Sequence, residues 1–434
     1  MLVCSLVFYG WWKWEFTSLL LISTLIDYFA AIQIEKTEVK SIKKRWLLLS
    51  ICSNLGLLIF FKYTYYFLGG LDVVNDIASK HIEIRKLLEF LAQALPVGIS
   101  FYTFQTMSYT IDVYNGRNKA EKNLGHFALF VSYFPQLVAG PIERYSHLSA
   151  QLKEKKEIIY SNLQSGFRLL LFGFFVKMVI ADNLSYTVMS VFDNPQKWHW
   201  YWVLIGVLSF SFQIYADFFG YSLIAQGSAK LFGVDLMDNF NRPYLAHNIT
   251  DFWKRWHISL TTWFRDYLYI PLGGNKVKKS RWVFNVFVVF LLSGLWHGAN
   301  YTYLIWGAIH GTMYLIERFS PIKLKTSIFK STMTYLLVCL AWIFFRAENT
   351  DKALQVIKSM FYEIDNVKHL DTPPHVFLLL FVFGAFEIWR KNQRFDEFCN
   401  RFSDIQRWVL YCFLLFTILV LCGTNYQPFI YFRF

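Results

Sequence analysis

Charged residues are scarce in this sequence of 434 residues. They make up 17% of the chain, whereas hydrophobic residues make up 55%. A soluble domain carries roughly 25% charged residues. The sequence also has no internal repeat, heptad series or low-complexity tract. Apolar runs recur from one end to the other, and a helix that spans a bilayer needs about 20 apolar residues. The composition therefore excludes a water-soluble protein and predicts an all-α integral membrane protein.

Cysteine pairs and metal-binding motifs are also lacking. The six cysteines form no CxxC pair, and no HExxH motif is present. Neither a zinc site nor a disulfide framework is indicated, and we predict no bound metal. The net charge of +13 lies in short clusters between apolar runs, a distribution typical of cytoplasmic loops. A nucleic-acid-binding protein would concentrate its basic residues on a soluble face, so we expect no nucleic-acid partner.

Eight apolar runs are candidate membrane spans. They cover about 16–34, 47–68, 88–114, 166–191, 200–225, 332–346, 375–389 and 408–424. The shorter run at 2–12 lacks the features of a signal peptide, and we expect it to be the end of a helix that begins upstream. Three further segments, 125–141, 250–272 and 282–317, are interrupted or amphipathic. The prediction is about eleven membrane elements in a single domain, 1–434.

The interrupted segments are the places to look for a site. Broken helices are tolerated at membrane depth only where protein or a water-filled cavity surrounds them. If 125–141 and 282–317 re-enter the membrane, every basic loop lies on one side, as the positive-inside pattern requires. The loops at 35–46, 115–124, 274–281, 318–331 and 390–407 are then cytoplasmic. The loops at 71–86, 193–199 and 347–374, and the end of the sequence, are then outside.

The segment 250–272 is predicted to be an amphipathic helix at the inner membrane interface. Its aromatic and apolar residues recur at steps of three or four, at Phe252, Trp256, Leu260, Trp263 and Tyr267. Thr250 or Asp251 can cap its start, and the PLGG run at 271–274 ends it. His257 lies between the two faces of this helix. It is a candidate catalytic residue, and the alternative is an interfacial histidine that orients the helix.

His297 is the strongest candidate for catalysis. It follows an apolar run from Val283 to Leu295, and Gly298 lets the chain bend after it. An ionisable residue at membrane depth is a functional candidate by default. Histidine has a pKa near 6.5 in water, which suits a base that takes a proton from a hydroxyl. The alternative is a histidine that only forms hydrogen bonds between helices.

Other polar residues near these segments are candidates for substrate binding. They are Trp296, Asn300, Asp217 and Arg255. Asp217 lies within a long apolar stretch, where half of a structural ion pair is the alternative role. Lys177 and Asp182 are predicted to be partners near a helix end.

A proton-coupled transporter or flippase that uses His297 and Asp217 as a relay is the alternative from another functional class. The absence of paired broken helices in the two halves of the sequence argues against it.

Several motifs resemble those of the membrane-bound O-acyltransferase superfamily, in its alginate O-acetylation branch. They are NFNRPYL at 239–245, DFWKRWHISL at 251–260, WFRDYLYIPLGGN at 263–275, GLWHGAN at 294–300 and WGAIHG at 306–311. The likeness covers nearly the whole chain. The sequence departs from the alginate branch after Gly220-Tyr221-Ser222. The next residue is Leu223, as in the transferases that deliver D-alanine to teichoic acid.

The resemblance implies a fold, a reaction and its partners. The fold is a ring of tilted helices around a membrane tunnel. The family's invariant histidine maps to His297, and its second histidine maps to His257. The implied reaction moves an acyl group, acetyl by expectation, from a cytoplasmic thioester to hydroxyls of an extracytoplasmic polysaccharide or protein. D-alanyl transfer to teichoic acid is the alternative.

The donor would be acetyl-CoA or an acyl carrier protein, with no bound cofactor. An extracytoplasmic esterase-like acyltransferase or a carrier protein would be a partner. The expected location is the cytoplasmic membrane.

Overall fold

The computed structural model describes residues 1–69, 96–138, 140–320, 328–361, 374–422 and 429–430. These residues form helices joined by short connections, with no β-strand among them. They fall into two compact units. The first unit comprises residues 1–157 and 233–237, and the second comprises 158–232 and 238–434. The fold class is confirmed, whereas the single domain 1–434 stays a prediction.

Seven helices in the described part of the chain are long and apolar enough to cross a membrane. They are Trp14–Lys36, Lys40–Thr64, Tyr160–Asp193, Trp200–Leu231, Lys279–His297, Ile328–Arg346 and Asp404–Leu421. Each overlaps a run or segment that the sequence predicted, and the count of eleven membrane elements stays a prediction. The predicted loop 71–86, the start of the predicted span 88–114 and parts of the predicted loops 318–331 and 347–374 lie outside the described residues.

The first unit contains seven helices within the described residues. They are α1 (Leu2–Gly10), α2 (Trp14–Lys36), α3 (Lys40–Gly69), α4 (Ile99–Tyr114), α5 (Leu124–Ser132), α6 (Phe134–Leu137) and α7 (Tyr145–Lys153). The predicted interruption of 125–141 is confirmed, because α5 ends at Ser132 and α6 is only four residues long.

A buried carboxylate links three helices of the first unit. Asp27 on α2 is fully buried and accepts hydrogen bonds from Ser50 and Asn54 on α3 and from Thr110 on α4. The Asn54 amide lies 2.8 Å from the carboxylate, and the Thr110 hydroxyl lies 3.3 Å from it. Polar side chains that bond across helices hold transmembrane bundles together. We call these four residues the Asp27 cluster.

The second unit carries the remaining helices of the described part of the chain. Its helices are α8 (Tyr160–Phe174), α9 (Asp182–Asp193), α10 (Trp200–Leu231), α11 (Ile249–Trp253), α12 (Ile258–Phe264), α13 (Lys279–His297), α14 (Tyr301–Phe319), α15 (Ile328–Arg346), α16 (Thr350–Ser359), α17 (Pro374–Trp389), α18 (Phe395–Phe398) and α19 (Asp404–Leu421). A π-helical turn, Phe175–Ala181, joins α8 to α9, and a second one, Arg265–Tyr269, follows α12.

Two helices of equal length form a close hairpin around the predicted break. Helices α13 and α14 have 19 residues each, and residues 298–300 form the turn between them. An added Cβ at Gly294 would lie 2.3 Å from the carbonyl oxygen of Tyr303, so only glycine allows this approach. The predicted re-entering element is thus a hairpin of two long helices. Nineteen residues rise about 28 Å, nearly the thickness of a bilayer core.

The predicted continuous helix over 250–272 is wrong. The segment divides into α11, α12 and a π-helical turn, with a break before Ile258. The start is capped by Asn248, whose side chain accepts the N–H of Asp251 at 2.7 Å, so neither Thr250 nor Asp251 is the cap. The break occurs because the N–H of Ile258 bonds to the carbonyl of Asn239 at 2.9 Å, outside the helix.

Candidate active site

His257 lies at the break between α11 and α12. Its backbone has φ 42° and ψ 55°, a left-handed conformation that is uncommon for residues other than glycine. Such strain persists only where the surroundings determine it, and it is frequent at functional sites. The side chain is only 1% exposed. His257 is thus buried in the second unit, and its catalytic role and its position at the membrane interface stay predictions.

Aromatic rings surround His257. Its ring lies 4.6 Å from that of Phe218 on α10 and 5.9 Å from that of Trp296 on α13, measured between ring centroids. Both contacts are edge-to-face, a favourable geometry for aromatic pairs. The histidine is thus held by two helices that are distant from it in sequence.

His297 is the last residue of α13 and is enclosed in the same way. Its side chain is 4% exposed, and its ring contacts those of Trp296, Trp306 and Phe345 at 4.9, 5.4 and 5.0 Å. Trp296 contacts both histidines. The structure therefore brings together three of the predicted site residues, with one indole between the two imidazoles.

A cavity of about 510 Å³ lies in the second unit, and Ile258, the residue after His257, is part of its lining. Its wall includes Val286, Phe290 and Ser293 of α13 and Ile258 of α12, and the wall is mainly apolar. Val286, Phe290 and Ser293 follow at steps of four and three, so they share one face of α13. The next position on that face is His297. The cavity lining on α13 ends at Ser293, and His297 follows on the same face about one helical turn further along.

The cavity has a charged end and an apolar end. Lys254, Arg265 and Arg318 line it and are exposed, whereas Ser293 and Val286 are buried. The three cations therefore belong to the exposed part of the cavity wall, and Val286 and Ser293 belong to its buried part. The lining residues of α13 run from Val286 to Ser293, about 10 Å along the helix at 1.5 Å per residue. This arrangement suits a long ligand with an anionic head and a reactive tail.

The chain matches the family model described as MBOAT, membrane-bound O-acyltransferase family, over residues 6–345. The chain belongs to this family. It is similar to a protein named probable alginate O-acetylase AlgI from Pseudomonas aeruginosa, at 40% identity over 83% of this chain and 69% of the relative. It is also similar to a peptidoglycan O-acetyltransferase of Helicobacter pylori, at 39% identity over 83% of this chain and 73% of the relative.

A more distant relative is the teichoic acid D-alanyltransferase of Bacillus subtilis, at 29% identity over 61% of this chain and 70% of the relative. Family membership makes the protein a membrane O-acyltransferase. It decides between the two predicted functional classes, in favour of acyl transfer and against the transporter.

The remaining predicted binding residues of the O-acyltransferase have other contacts. Arg255 is paired with Asp251 at 2.8 Å, and Asn300 caps α14 by accepting the N–H of Thr302 at 3.1 Å. Asp217 lies 2.7 Å from the ammonium of Lys177, which also lies 2.6 Å from Asp182. The predicted Lys177–Asp182 pair is confirmed. Substrate binding by Arg255, Asn300 and Asp217 stays a prediction.

The sequence did not single out several residues of the site. Phe218, Trp306 and Phe345 form walls around the histidines. Trp306 belongs to the WGAIHG motif, which was the only signal available for it. Phe218 and Phe345 lie in apolar runs where nothing distinguishes one phenylalanine from its neighbours.

No metal site is apparent in the described residues. No group of three His, Cys, Asp or Glu side chains within those ranges is placed to hold an ion. All six cysteines are free.

Proposed function

We propose that this O-acyltransferase transfers an acetyl group from a thioester donor to a hydroxyl of a cell-envelope polysaccharide, with His297 as the general base. One observation carries the proposal. The face of α13 that lines the cavity, through Val286, Phe290 and Ser293, has His297 as its next member. A donor that fills the cavity would place its tail next to this imidazole.

The chemistry needs one base in this position. The acceptor oxygen attacks the thioester carbonyl while His297 takes the hydroxyl proton. The carbon–sulfur bond then breaks, and the imidazolium returns the proton to the leaving thiolate. The products are an ester and a free thiol, and no proton is left on the enzyme. A positioned general base contributes roughly 10²–10⁴-fold to such a step.

His257 has a positioning role in this proposal. It contacts Trp296, which in turn contacts His297. It also immediately precedes Ile258, which lines the cavity. His257 would thus fix the wall along which the thioester lies.

The donor enters at the cationic end of the cavity. Acetyl-CoA and the prosthetic arm of an acyl carrier protein both carry phosphate groups, which Lys and Arg bind. Lys254, Arg265 and Arg318 supply three exposed cations there. The predicted loop 274–281, whose last three residues begin α13, carries four basic residues and no acidic one. The positive-inside rule places this end in the cytoplasm, so the acyl group would move outward across the cytoplasmic membrane.

The acceptor is proposed from the relatives. Two of them are named for O-acetylation of alginate and of peptidoglycan, which favours a polysaccharide acceptor. An extracytoplasmic esterase-like protein or a carrier protein would complete delivery to the polymer. D-alanyl transfer to teichoic acid is the second candidate. It is favoured by the Gly220-Tyr221-Ser222-Leu223 run and by the teichoic acid relative at 29% identity.

The test replaces the base and follows the acyl group. Inside-out membrane vesicles that contain His297→Ala should transfer no label from acetyl-CoA to envelope polysaccharide. The loss should be at least 10²-fold because the base is gone. His126→Ala is the control, since His126 is exposed and lies in the first unit. Near-normal transfer by well-folded His297→Ala protein would refute the role of His297.

Parallel assays identify the donor. Acetyl-CoA, acetyl-loaded acyl carrier protein and D-alanyl-loaded carrier protein are supplied in turn at the same concentration. Transfer from the D-alanyl carrier protein alone would replace the acetyl proposal with the D-alanyl one, whereas transfer of acetyl from either acetyl donor would support it.

A further inference from the structure

An ion cluster in the second unit is not used by the proposed reaction. The Lys177 ammonium lies 2.6 Å from Asp182 and 2.7 Å from one carboxylate oxygen of Asp217. Lys177 and Asp217 are both buried. The other oxygen of Asp217 accepts the backbone N–H of Ile430 at 2.7 Å. The Asp217 carboxylate therefore joins the ion cluster to a segment that lies 213 residues further along the chain.

The same turn of α10 also holds the neighbouring side chain of that segment. Phe429 is fully buried, and its ring lies 4.4 Å from that of Tyr221 and 5.6 Å from that of Phe218. Tyr221 lies four positions after Asp217 and three after Phe218, spacings that make side chains neighbours on a helix surface. Phe429 and Ile430 are thus fixed by one backbone hydrogen bond and two ring contacts. We call these two residues the docked pair.

Only one ring separates the docked pair from His257. Phe218 contacts Phe429 on one side and the His257 ring on the other, at 4.6 Å and nearly perpendicular. The backbone of His257 is in the left-handed region, which its surroundings must impose. A shift of Phe218 would therefore change the position of the histidine.

We infer that Asp217 is a positioning residue for acyl transfer. It holds the docked pair against Phe218, and Phe218 holds the ring of His257 against Trp296. This inference rests on the proposed function, because it takes His257 to be part of the active site. Asp217 touches neither the reacting atoms nor the donor in this account, so it is not a catalytic residue. A purely structural role would lower the amount of folded protein and leave the turnover of folded protein unchanged.

The first experiment distinguishes the role of Asp217 from the role of the ion cluster as a whole. Asp217→Ala removes the acceptor of the Ile430 N–H, whereas Asp182→Ala removes the other carboxylate beside Lys177 and leaves that hydrogen bond intact. We expect Asp217→Ala to lower kcat about tenfold per folded molecule, with KM for acetyl-CoA unchanged. Asp182→Ala should keep kcat within about twofold of the unmodified protein. Equal kcat values for the two variants would overturn the inference.

The second experiment leaves Asp217 in place, so it decides the matter if Asp217→Ala does not fold. Ile430→Pro removes the N–H that the carboxylate accepts, and Ile430→Val keeps it with a similar side chain. Ile430→Pro should lower kcat about tenfold relative to Ile430→Val. In a His257→Gln background the same change should cause no further loss, because it acts through His257. A further loss of kcat by Ile430→Pro in the His257→Gln background, as large as in the unmodified protein, would contradict the inference.

The His297→Ala variant is measured in the same vesicles. Activity of that variant would refute the proposed function itself. An inactive His297→Ala protein together with a normal Ile430→Pro protein would refute only the positioning role of Asp217.

Discussion

The two units bury polar side chains in different surroundings. In the first unit, the carboxylate of Asp27 accepts hydrogen bonds from hydroxyl and amide groups of two neighbouring helices. In the second unit, His257 and His297 are enclosed by aromatic rings, and His297 lies on the face of α13 that lines a cavity through Ser293. The same general rule, that a buried ionisable residue in a membrane protein has a function, would select both regions. The surroundings distinguish the two regions. The Asp27 cluster joins helices, whereas the histidines lie where a substrate can bind.

The largest expected effect on stability comes from the Asp27 cluster. Asp27→Ala would leave the Ser50 hydroxyl and one of the two amide N–H groups of Asn54 buried without an acceptor, which costs about 2 kcal/mol. We expect a clearly lower Tm in detergent and less protein in the membrane. Asp27→Asn is the matched control, since it keeps one carbonyl oxygen as acceptor and should lose less.

Acyl transfer by the folded fraction of Asp27→Ala should stay normal. A fall in turnover of the folded protein, beyond the fall in its amount, would show that the first unit takes part in the chemistry and would remove the contrast between the units.

A smaller effect, on activity alone, is expected at His257. His257→Gln should lower turnover about tenfold, equivalent to about 1.4 kcal/mol in the barrier, because the residue positions the wall of the site and does not react. The fall in turnover is measured by the transfer of labelled acetyl in vesicles, and His126→Gln is the control. Complete loss of transfer in well-folded protein would show that His257 is one of the reacting groups, together with His297.

The smallest effect concerns an ion pair outside the spans. The Nδ1 of His147 on α7 donates a hydrogen bond to the Glu143 carboxylate at 2.7 Å, and this bond raises the pKa of His147 against the opposing effect of burial. A raised pKa stabilises the folded state below the unfolded pKa of about 6.5, and this contribution is lost as the pH rises through the folded pKa. His147→Ala should therefore lower the Tm more at pH 6 than at pH 9. The His147 side chain is 43% exposed, so the difference should be below about 1 kcal/mol.

A pH-independent effect of His147→Ala would mean that the residue contributes by packing and not by charge. His126→Ala, measured at both pH values, controls for the loss of an exposed histidine from the same unit.

The sequence predicted the parts of the fold that depend on local patterns. The apolar runs predicted the long helices, and the break at Trp296–Asn300 predicted the position of His297 at a helix end. These features follow from composition and from Gly298, which are visible within a few residues.

The parts that the sequence did not predict depend on distant contacts. The helix over 250–272 breaks at His257 because Ile258 bonds to Asn239, and the periodicity of the segment does not reveal this bond. Ile430 of the docked pair contacts Asp217 although the two residues are 213 positions apart in the sequence, and no local pattern connects them. The role of Trp296 between the two histidines likewise follows from the packing of α13 beside the break before α12.

In the proposed reaction, the cavity leads the thioester to His297. Ser293 is the last residue of the cavity wall before His297 on α13, and it is buried. Ser293→Phe would fill this end of the cavity, whereas Leu292→Phe places the same ring on the adjacent position, which is 41% exposed. We expect Ser293→Phe to lower transfer of labelled acetyl from acetyl-CoA at least tenfold relative to Leu292→Phe, at equal amounts of folded protein. Equal transfer by the two variants would contradict the claim that the donor reaches His297 through this cavity.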